Sequence, residues 1–122
     1  MSKPEKIKID EVEYVRADSL MQEAPKLDGM KYVLIRTYSA GVHVGYLKRR
    51  DGQEVELVNA RRLWYWDGAA SLSQLAVDGV SKGDNCKFPC EVASIILTEA
   101  IEIIPVTKKA QESIKAVKIW TA

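Results

Sequence analysis

The feature that most constrains this chain is an alternating pattern from Tyr32 to Trp66, interrupted by two turn signals. In the segment 32–38 a β-branched residue occupies every second position, which is typical of a strand whose two faces differ. Segments 42–50 and 53–63 show the same period of two. The pattern therefore predicts three consecutive antiparallel strands, a meander at the centre of the fold.

The turns between these strands suggest a register. Asp51-Gly52 favours a two-residue type I′ hairpin loop, and Ser39-Ala40-Gly41 could form a three-residue loop with Gly41 in the left-handed region. The second hairpin would then pair Arg50 with Gln53, Arg49 with Glu54, Tyr46 with Leu57, Val44 with Asn59, His43 with Ala60 and Val42 with Arg61. The first hairpin would pair Tyr38 with Val42, Arg36 with Val44 and Leu34 with Tyr46.

This register gathers polar side chains from all three strands around the turn at 39–41. One face would carry Leu34, Tyr46 and Leu57, followed near the turn by Arg36, Tyr38, Asn59 and Arg61. The opposite face would carry Ile35 and Val58, followed by Thr37, His43 and Arg62. Such a convergence of polar groups from different strands predicts a ligand site.

The chemistry of these residues indicates an anionic ligand. The guanidinium groups of Arg36, Arg61 and Arg62 match the geometry of phosphate, and the turn adds neutral donors from Ser39 and the backbone. Asn59 could recognise a ribose or a base edge. A base could stack on the nearby aromatic rings of Tyr38, Trp64, Tyr65 and Trp66. No nucleophile is paired with a base, so no catalytic residue is predicted.

A purely structural interpretation competes with this one. Arginines on a half-exposed sheet are often solvated or paired with acidic neighbours, here Glu54 and Glu56. Trp64 and Trp66 would serve as core anchors, with Tyr65 pointing the other way. A lone histidine near a strand end is usually structural.

Composition excludes several other classes. The 122 residues, 47% of them hydrophobic, suit a single domain with its own core. A net charge of +1 argues against a protein that coats nucleic-acid duplexes. His43 is the only histidine, and Cys86 and Cys90 have no second pair, so neither a metal site nor a cofactor is predicted. No apolar run suggests a membrane span or a signal peptide, so a cytosolic protein is expected.

The segments outside the meander predict further elements. Residues 1–6 are expected to be disordered, 7–15 could form an edge strand with a bulge, and 18–22 could form a helical turn. A helix is predicted over Ser71–Asp78, from a capping box of Ser71 and Gln74 to Gly79. Residues 92–99 fit either a helix or a strand. The segment Ala100–Ile104 reads as a strand with Glu102 outward, and Thr107 caps a last helix that ends near Trp120.

The loop at 81–89 contributes two further candidates. Phe88 is the only phenylalanine, and it could either plug the core or offer a stacking face to a ligand or a second subunit. Lys87 could contact a phosphate or remain solvated. The predicted fold is therefore α+β: a single domain over 1–122 with an antiparallel sheet, a central three-strand meander and two short helices.

Three segments of the chain resemble a known family. Arg36–Gly45, Asn59–Trp66 and Leu97–Pro105 resemble the small phage proteins of the Thoeris anti-defence family, first type. The likeness spans about Lys31 to Thr107, and the loop at 81–89 departs most from the family pattern.

The resemblance implies a phage protein in the host bacterial cytoplasm that sequesters cyclic ADP-ribose isomers without degrading them. Some members of that family also hold cyclic oligonucleotides at separate sites. The family implies homo-oligomers with the ligand at subunit interfaces. Together with the local chemistry it gives these candidate ligand-binding residues: Arg36, Tyr38, Ser39, Ala40, Gly41, His43, Asn59, Arg61, Arg62, Lys87 and Phe88.

Two other functions fit the same residues. A small β-rich protein that binds single-stranded nucleic acid would use the same arginines and aromatic rings, and its binding would depend strongly on salt. A hydrolase acting on the same signal would need an acid or a base, and His43 is the histidine available for it.

Overall fold

A five-stranded antiparallel sheet dominates the computed structural model, which describes residues 22–122. The strands are β1 (Tyr32–Thr37), β2 (Val42–Asp51), β3 (Glu54–Leu63), β4 (Val92–Leu97) and β5 (Ala100–Pro105), and they lie side by side in the order β4-β3-β2-β1-β5. Two helices, α1 (Leu72–Asp78) and α2 (Lys108–Ala116), and a 3-10 turn at Gly83–Asn85 complete the fold. The predicted α+β class, meander and two helices are confirmed.

Some predicted elements fall near or beyond the limits of this description. The expectations for residues 1–6 and 7–15 lie outside the described residues, as does the helical turn at 18–22 apart from Gln22. Residues 92–99, which fitted either a helix or a strand, form strand β4 as far as Leu97. No helix in the described part of the chain is long and apolar enough to cross a membrane.

The sheet is strongly curled. Strands β4 and β5 lie at opposite edges, yet only residues 98–99 connect them. The Ala100 amide at the start of β5 donates a hydrogen bond to the Gln53 carbonyl, in the loop after β2, at 2.9 Å. The β2–β3 loop therefore reaches the opposite edge strand, and the sheet encloses an inner core of Val33, Ile35, Val55, Leu57, Ala60, Leu97 and Ala100.

The other face of the sheet packs against both helices. This helix-side core contains Leu34 and Val44 from the sheet, Leu75 from α1 and Ile114 from α2. Phe88 is fully buried in the same core. Of the two alternatives for Phe88, the core plug is therefore the observed one.

Local chemistry fixes the helix ends largely as predicted. The Ser71 hydroxyl accepts a hydrogen bond from the Gln74 amide at 3.2 Å, while the Gln74 side chain accepts from the Ala70 amide at 2.7 Å instead of reaching back to Ser71. Gly79 follows α1 with φ 76°, as expected for the residue after a helix. Thr107 caps α2 through the Ala110 amide at 3.0 Å. Helix α2 ends at Ala116, short of the predicted Trp120.

The predicted register of the first hairpin is wrong by two residues. Arg36 pairs with Val42, Leu34 with Val44 and Tyr32 with Tyr46. The loop is longer than the three residues expected, because the Thr37 amide bonds the Gly41 carbonyl at 3.1 Å and leaves Tyr38 in the loop. A shift of two residues keeps every side chain on its predicted face.

The predicted register of the second hairpin is also wrong. Asp51 pairs with Glu54, so Gly52-Gln53 is the loop instead of Asp51-Gly52. Gly52, at the first loop position, has φ 62°. The pairs observed in place of the predicted ones include Arg50 with Val55, Arg49 with Glu56, Tyr46 with Val58, Val44 with Arg61, His43 with Arg62 and Val42 with Leu63. Arg49 nevertheless bonds Glu54 at 2.7 Å and Glu56 at 3.1 Å.

A bulge in β3 explains part of this difference. Asn59 has φ 51°, in the left-handed region, and Asn59 and Ala60 together lie opposite Gly45. The extra residue reverses the side-chain alternation. As a result Leu57 faces the inner core and Val58 packs toward the helices, the reverse of the prediction.

Candidate functional site

An open groove lies where the β1–β2 loop approaches the end of β3. It has a volume of about 500 Å³. Its lining, which we call the loop groove, consists of Ser39, Ala40, Gly41, Val42, Arg62, Leu63, Trp64 and Trp66. Four residues predicted from the sequence, those of the 39–41 turn and Arg62, are therefore brought together here.

The loop on one side of the groove is held by hydrogen bonds. The Thr37 hydroxyl accepts from the Ala40 amide at 2.8 Å and donates to the Gly41 carbonyl at 2.7 Å. The Tyr38 amide donates to the Glu99 carbonyl at 3.0 Å, and the Ser39 hydroxyl donates to the Glu99 carboxylate. The loop is thus preorganised, but the Ser39 donor predicted for a ligand is engaged by Glu99.

Arg62 supplies the positive charge of the groove. Its Nε donates to His43 Nε2 at 3.1 Å, and the two residues lie opposite each other on β3 and β2. Within residues 22–122, no carboxylate forms an ion pair with Arg62. In this part of the chain only its Nε has a hydrogen-bond acceptor, so the two terminal nitrogens meet no acceptor from these residues. Two such donors on one guanidinium match the geometry of a phosphate.

Trp64 supplies an aromatic surface at the same place. Its side chain is 63% exposed, so the prediction of a core anchor is wrong. The chain leaves the sheet after Leu63, and the amides of Trp64 and Tyr65 both donate to the Lys87 carbonyl, at 3.1 and 3.2 Å. Side-chain alternation no longer applies beyond that point. Trp66 is half-buried and packs against the helix-side core, closer to its predicted role.

Arg61, by contrast, lies away from the groove. It is 5% exposed, and its guanidinium donates to the carbonyls of Pro89 at 2.9 Å, Ile114 at 2.8 Å, Phe88 at 3.0 Å and Val117 at 2.9 Å. Burial lowers its pKa. These contacts leave Arg61 occupied by the protein's own backbone.

Other predicted residues are also separated from the groove. Arg36 is exposed and pairs with Glu102 on β5 at 3.2 Å. Asn59 is half-buried at the β3 bulge. Tyr38 is 79% exposed on the loop but does not line the groove. Phe88, inside the core, offers no stacking face.

Lys87 belongs to a second surface cluster. Its Nζ lies 6.0 Å from the ring centre of Tyr65 and 5.7 Å from that of Trp120, both within the range of a cation–π contact. Tyr65 and Trp120 are both exposed. We call these three residues the Lys87 cluster.

His43 is buried beneath Arg62 instead of facing a ligand in the groove. Burial, assisted by the charge of Arg62, lowers its pKa to about 4. The imidazole is therefore neutral at neutral pH. Because Nε2 accepts from Arg62, the proton is carried by Nδ1, which is buried without a hydrogen-bond partner in the described structure.

The sequence suggested Trp64 and Trp66 both as stacking faces and as core anchors, and the candidate ligand-binding residues did not include them. The available signal was the end of the alternating pattern at Leu63, which marks where the strand stops and side chains no longer follow its two faces. In the described range 22–122, no group of three His, Cys, Asp or Glu residues is placed to hold a metal ion.

Comparison with known proteins identifies the family. No curated protein and no solved structure matches this sequence. A family profile described as a domain of unknown function, DUF6948, matches residues 30–114. That range runs from β1 into α2 and includes the whole loop groove. The chain therefore belongs to the DUF6948 family.

Proposed function

We propose that the protein is a non-catalytic binding protein for a cyclic nucleotide-derived signal of the cyclic ADP-ribose type, which it holds in the loop groove. The observation that carries the proposal is the guanidinium of Arg62, whose terminal nitrogens have no partner among residues 22–122, beside the exposed indole of Trp64. A cyclic ADP-ribose combines a pyrophosphate with a base, and these two groups require a fork of donors and a flat apolar surface.

The dimensions of the groove support a ligand of this class. A volume of about 500 Å³ lies within the range of small-molecule sites. The 39–41 turn presents only small side chains, so a ligand can approach the backbone closely. The groove is open, and a second copy of the chain could close it, in agreement with the interface sites implied by the family resemblance. Sequestration in the host bacterial cytoplasm would keep the signal from the Thoeris effector.

The state of His43 favours binding over hydrolysis. Its Nε2 already accepts from Arg62, and a pKa of about 4 makes it a weak base at neutral pH. The Glu99 carboxylate is held by Ser39 at the edge of the loop. Neither residue is therefore positioned to act as a general base on a ligand that binds the terminal nitrogens of Arg62.

The test is to identify what the protein retains. The purified protein would be incubated with filtrate from cells containing an activated TIR-domain enzyme, separated from unbound material and denatured by heat. Release of an intact cyclic ADP-ribose isomer would support the proposal. Linear ADP-ribose would indicate an enzyme. If no nucleotide were released, the result would contradict both sequestration and hydrolysis of the signal.

Matched variants locate the site. Arg62→Gln should weaken binding by about 10- to 100-fold, because it removes charge-assisted hydrogen bonds to the ligand. Arg50→Gln is the control, since Arg50 is an exposed arginine at the far end of the hairpin. Trp64→Ala should also weaken binding. Equal retention by Arg62→Gln and the unmodified protein would place the ligand elsewhere.

The Lys87 cluster favours one alternative, a small β-rich protein that binds single-stranded nucleic acid. A lysine between two exposed aromatic rings could hold a phosphate while the rings stack on bases. Such binding would weaken steeply with added salt and tolerate any sequence. Fluorescence titration of labelled oligonucleotides at two salt concentrations, with Lys87→Gln as the variant, separates this function from the first.

A further inference from the structure

Arg62 is an exposed residue, yet a buried side chain anchors its guanidinium. The Nε of Arg62 donates to His43 Nε2 at 3.1 Å, and the two residues lie opposite each other on β3 and β2. His43 is 1% exposed and also lies opposite Ile35 on β1, so its strand has a neighbour on each side. A side chain locked by packing on a central strand has little freedom. His43 therefore provides a fixed acceptor for a mobile donor.

This hydrogen bond determines which part of Arg62 remains for a ligand. An unrestrained arginine side chain samples many rotamers, and ordering it on binding costs conformational entropy. Because His43 holds Nε, the orientation of the guanidinium is restrained and its two terminal nitrogens are the donors left over. A ligand in the loop groove therefore meets a fork of donors that is already oriented.

The same histidine is unfavourable for stability, which a purely structural role does not explain. Burial lowers its pKa to about 4, so the imidazole is neutral at neutral pH, and its proton lies on Nδ1 because Nε2 accepts from Arg62. That Nδ1 is buried without a hydrogen-bond partner among residues 22–122. A buried donor without an acceptor destabilises the folded state, and side chains that break such a rule are concentrated at functional sites. An apolar side chain would avoid this penalty and leave the exposed guanidinium to water.

We propose that His43 is a positioning residue of the loop groove, which orients the Arg62 fork toward the anionic group of the ligand without touching the ligand itself. The sequence predicts His43 as a ligand-binding residue, whereas in the structure it does not line the loop groove. Its role rests on the function proposed above, because it concerns the arginine of that site.

Two substitutions at position 43 separate positioning from packing. His43→Leu keeps a similar volume but has no acceptor, whereas His43→Gln places an amide oxygen near the position of Nε2. The probe is filtrate from cells containing an activated TIR-domain enzyme, and retention across a dilution series gives relative affinity. His43→Leu should bind about tenfold more weakly, and His43→Gln within about threefold of the unmodified protein. In urea, His43→Leu should unfold at the same midpoint as the unmodified protein or a higher one.

Ile35→Val is the matched control, since Ile35 is fully buried opposite His43 on β1. It should lower the urea midpoint and leave retention unchanged, the reverse of the effect of His43→Leu. Unchanged retention by His43→Leu, together with weaker retention by Arg62→Gln, would overturn the positioning role and leave the proposed function intact. If the unmodified protein retained no nucleotide, the proposed function would fail and this role with it.

NMR provides a readout that a packing role would not predict. A scalar coupling between the Arg62 Nε and His43 Nε2 nitrogens, transmitted across their hydrogen bond, should be present in the free protein. It should persist when the protein is saturated with nucleotide purified from the filtrate. Loss of the coupling on binding would show that His43 releases Arg62, and it would overturn the positioning role. Absence of the coupling in the free protein would overturn it as well.

Discussion

At the scale of single residues, the buried guanidinium of Arg61 depends on backbone carbonyls from several parts of the chain. Two of its acceptors, the Ile114 and Val117 carbonyls, lie at the end of α2, where helix carbonyls lack intrahelical partners. The other two, on Phe88 and Pro89, belong to the segment before β4. The guanidinium also lies 5.4 Å from the centre of the Phe88 ring. One side chain thus connects β3, α2 and the chain entering β4.

We therefore predict that Arg61→Lys lowers the free energy of unfolding by about 3 kcal/mol. A lysine cannot reproduce the fork of donors, and carbonyls left without partners in the interior cost about 1–3 kcal/mol each. Urea unfolding measures the change. Arg50→Lys, at an exposed position, should have an effect within about 0.5 kcal/mol. Equal stability of Arg61→Lys and the unmodified protein would mean that the four hydrogen bonds contribute little.

His43 predicts a dependence of stability on pH. Its pKa is about 4 in the folded protein and near 6.5 in the unfolded chain. The unfolded chain therefore binds more protons between these values, so the free energy of unfolding falls as the pH drops from 6.5 to 4. Above pH 6.5 the contribution is complete and constant. Allowing for solvent around Arg62, we expect a loss of about 2 kcal/mol across the window.

The His43→Gln variant isolates this contribution. Glutamine retains an acceptor for Arg62 but does not titrate, so its stability should fall less between pH 6.5 and 4 than that of the unmodified protein. Urea unfolding at several pH values gives both curves. Parallel curves would show that other groups, such as the carboxylates, account for the whole dependence.

The limits of sequence reasoning are clear from the adjacent arginines. Arg61 and Arg62 are the same residue type in one strand, and both match the chemistry of an anion site. Alternation correctly places them on opposite faces, but it does not reveal that one face is covered by α2 and Phe88. The burial of Arg61 depends on residues 27 to 56 positions away in sequence. Only the three-dimensional structure distinguishes the structural arginine from the available one.

At the scale of elements, the bulge at Asn59 decides the faces of β3. The left-handed backbone at this position, φ 51°, accommodates Asn better than most non-glycine residues. Ala60 passes closely over Gly45, where an added Cβ would lie 3.1 Å from the Ala60 Cα atom. The backbone at the bulge therefore packs closely against position 45, where glycine has no Cβ. An uninterrupted period of two could not predict that Leu57 faces the inner core and Val58 the helices.

We predict that Asn59→Gly is tolerated and that Asn59→Val is not. Glycine adopts positive φ readily, whereas a β-branched residue there should lower the free energy of unfolding by about 1–2 kcal/mol. Thermal or urea unfolding of the two variants provides the measurement. The same pair tests Asn59 as a ligand residue, because signal retention by Asn59→Gly would assign its role to the backbone. Equal stability of both variants would argue against the bulge geometry.

The elements that sequence reasoning identified correctly are those determined locally. Capping by Ser71 and Thr107 and the glycine after α1 each involve residues within a few positions of one another. Strand β4 remained ambiguous for a physical reason. At the edge of the sheet most of its residues are exposed, so Ile95 and Ile96 give no clear alternation of buried and exposed positions.

At the scale of the whole molecule, the sheet curls so that the β2–β3 loop meets the edge strand β5. The Ala100 amide of β5 bonds the Gln53 carbonyl of that loop, although β1 separates β5 from β2 in the strand order. The inner core and the helix-side core therefore lie on either side of the same five strands. Nothing in the sequence predicted this closure, because it depends on twist accumulated across every strand.

This arrangement predicts that the described domain unfolds as one unit. Leu57→Ala in the inner core and Ile114→Ala in the helix-side core should each lower the free energy of unfolding by about 2–5 kcal/mol, since both side chains are fully buried. Far-UV circular dichroism and tryptophan fluorescence should give coincident unfolding curves for both variants. Ile96→Ala, at an exposed position, is the control and should change stability by less than about 0.5 kcal/mol. If Ile114→Ala instead produced two separate transitions, the helices would be able to detach from an intact sheet, and Arg61 would not couple them to β3.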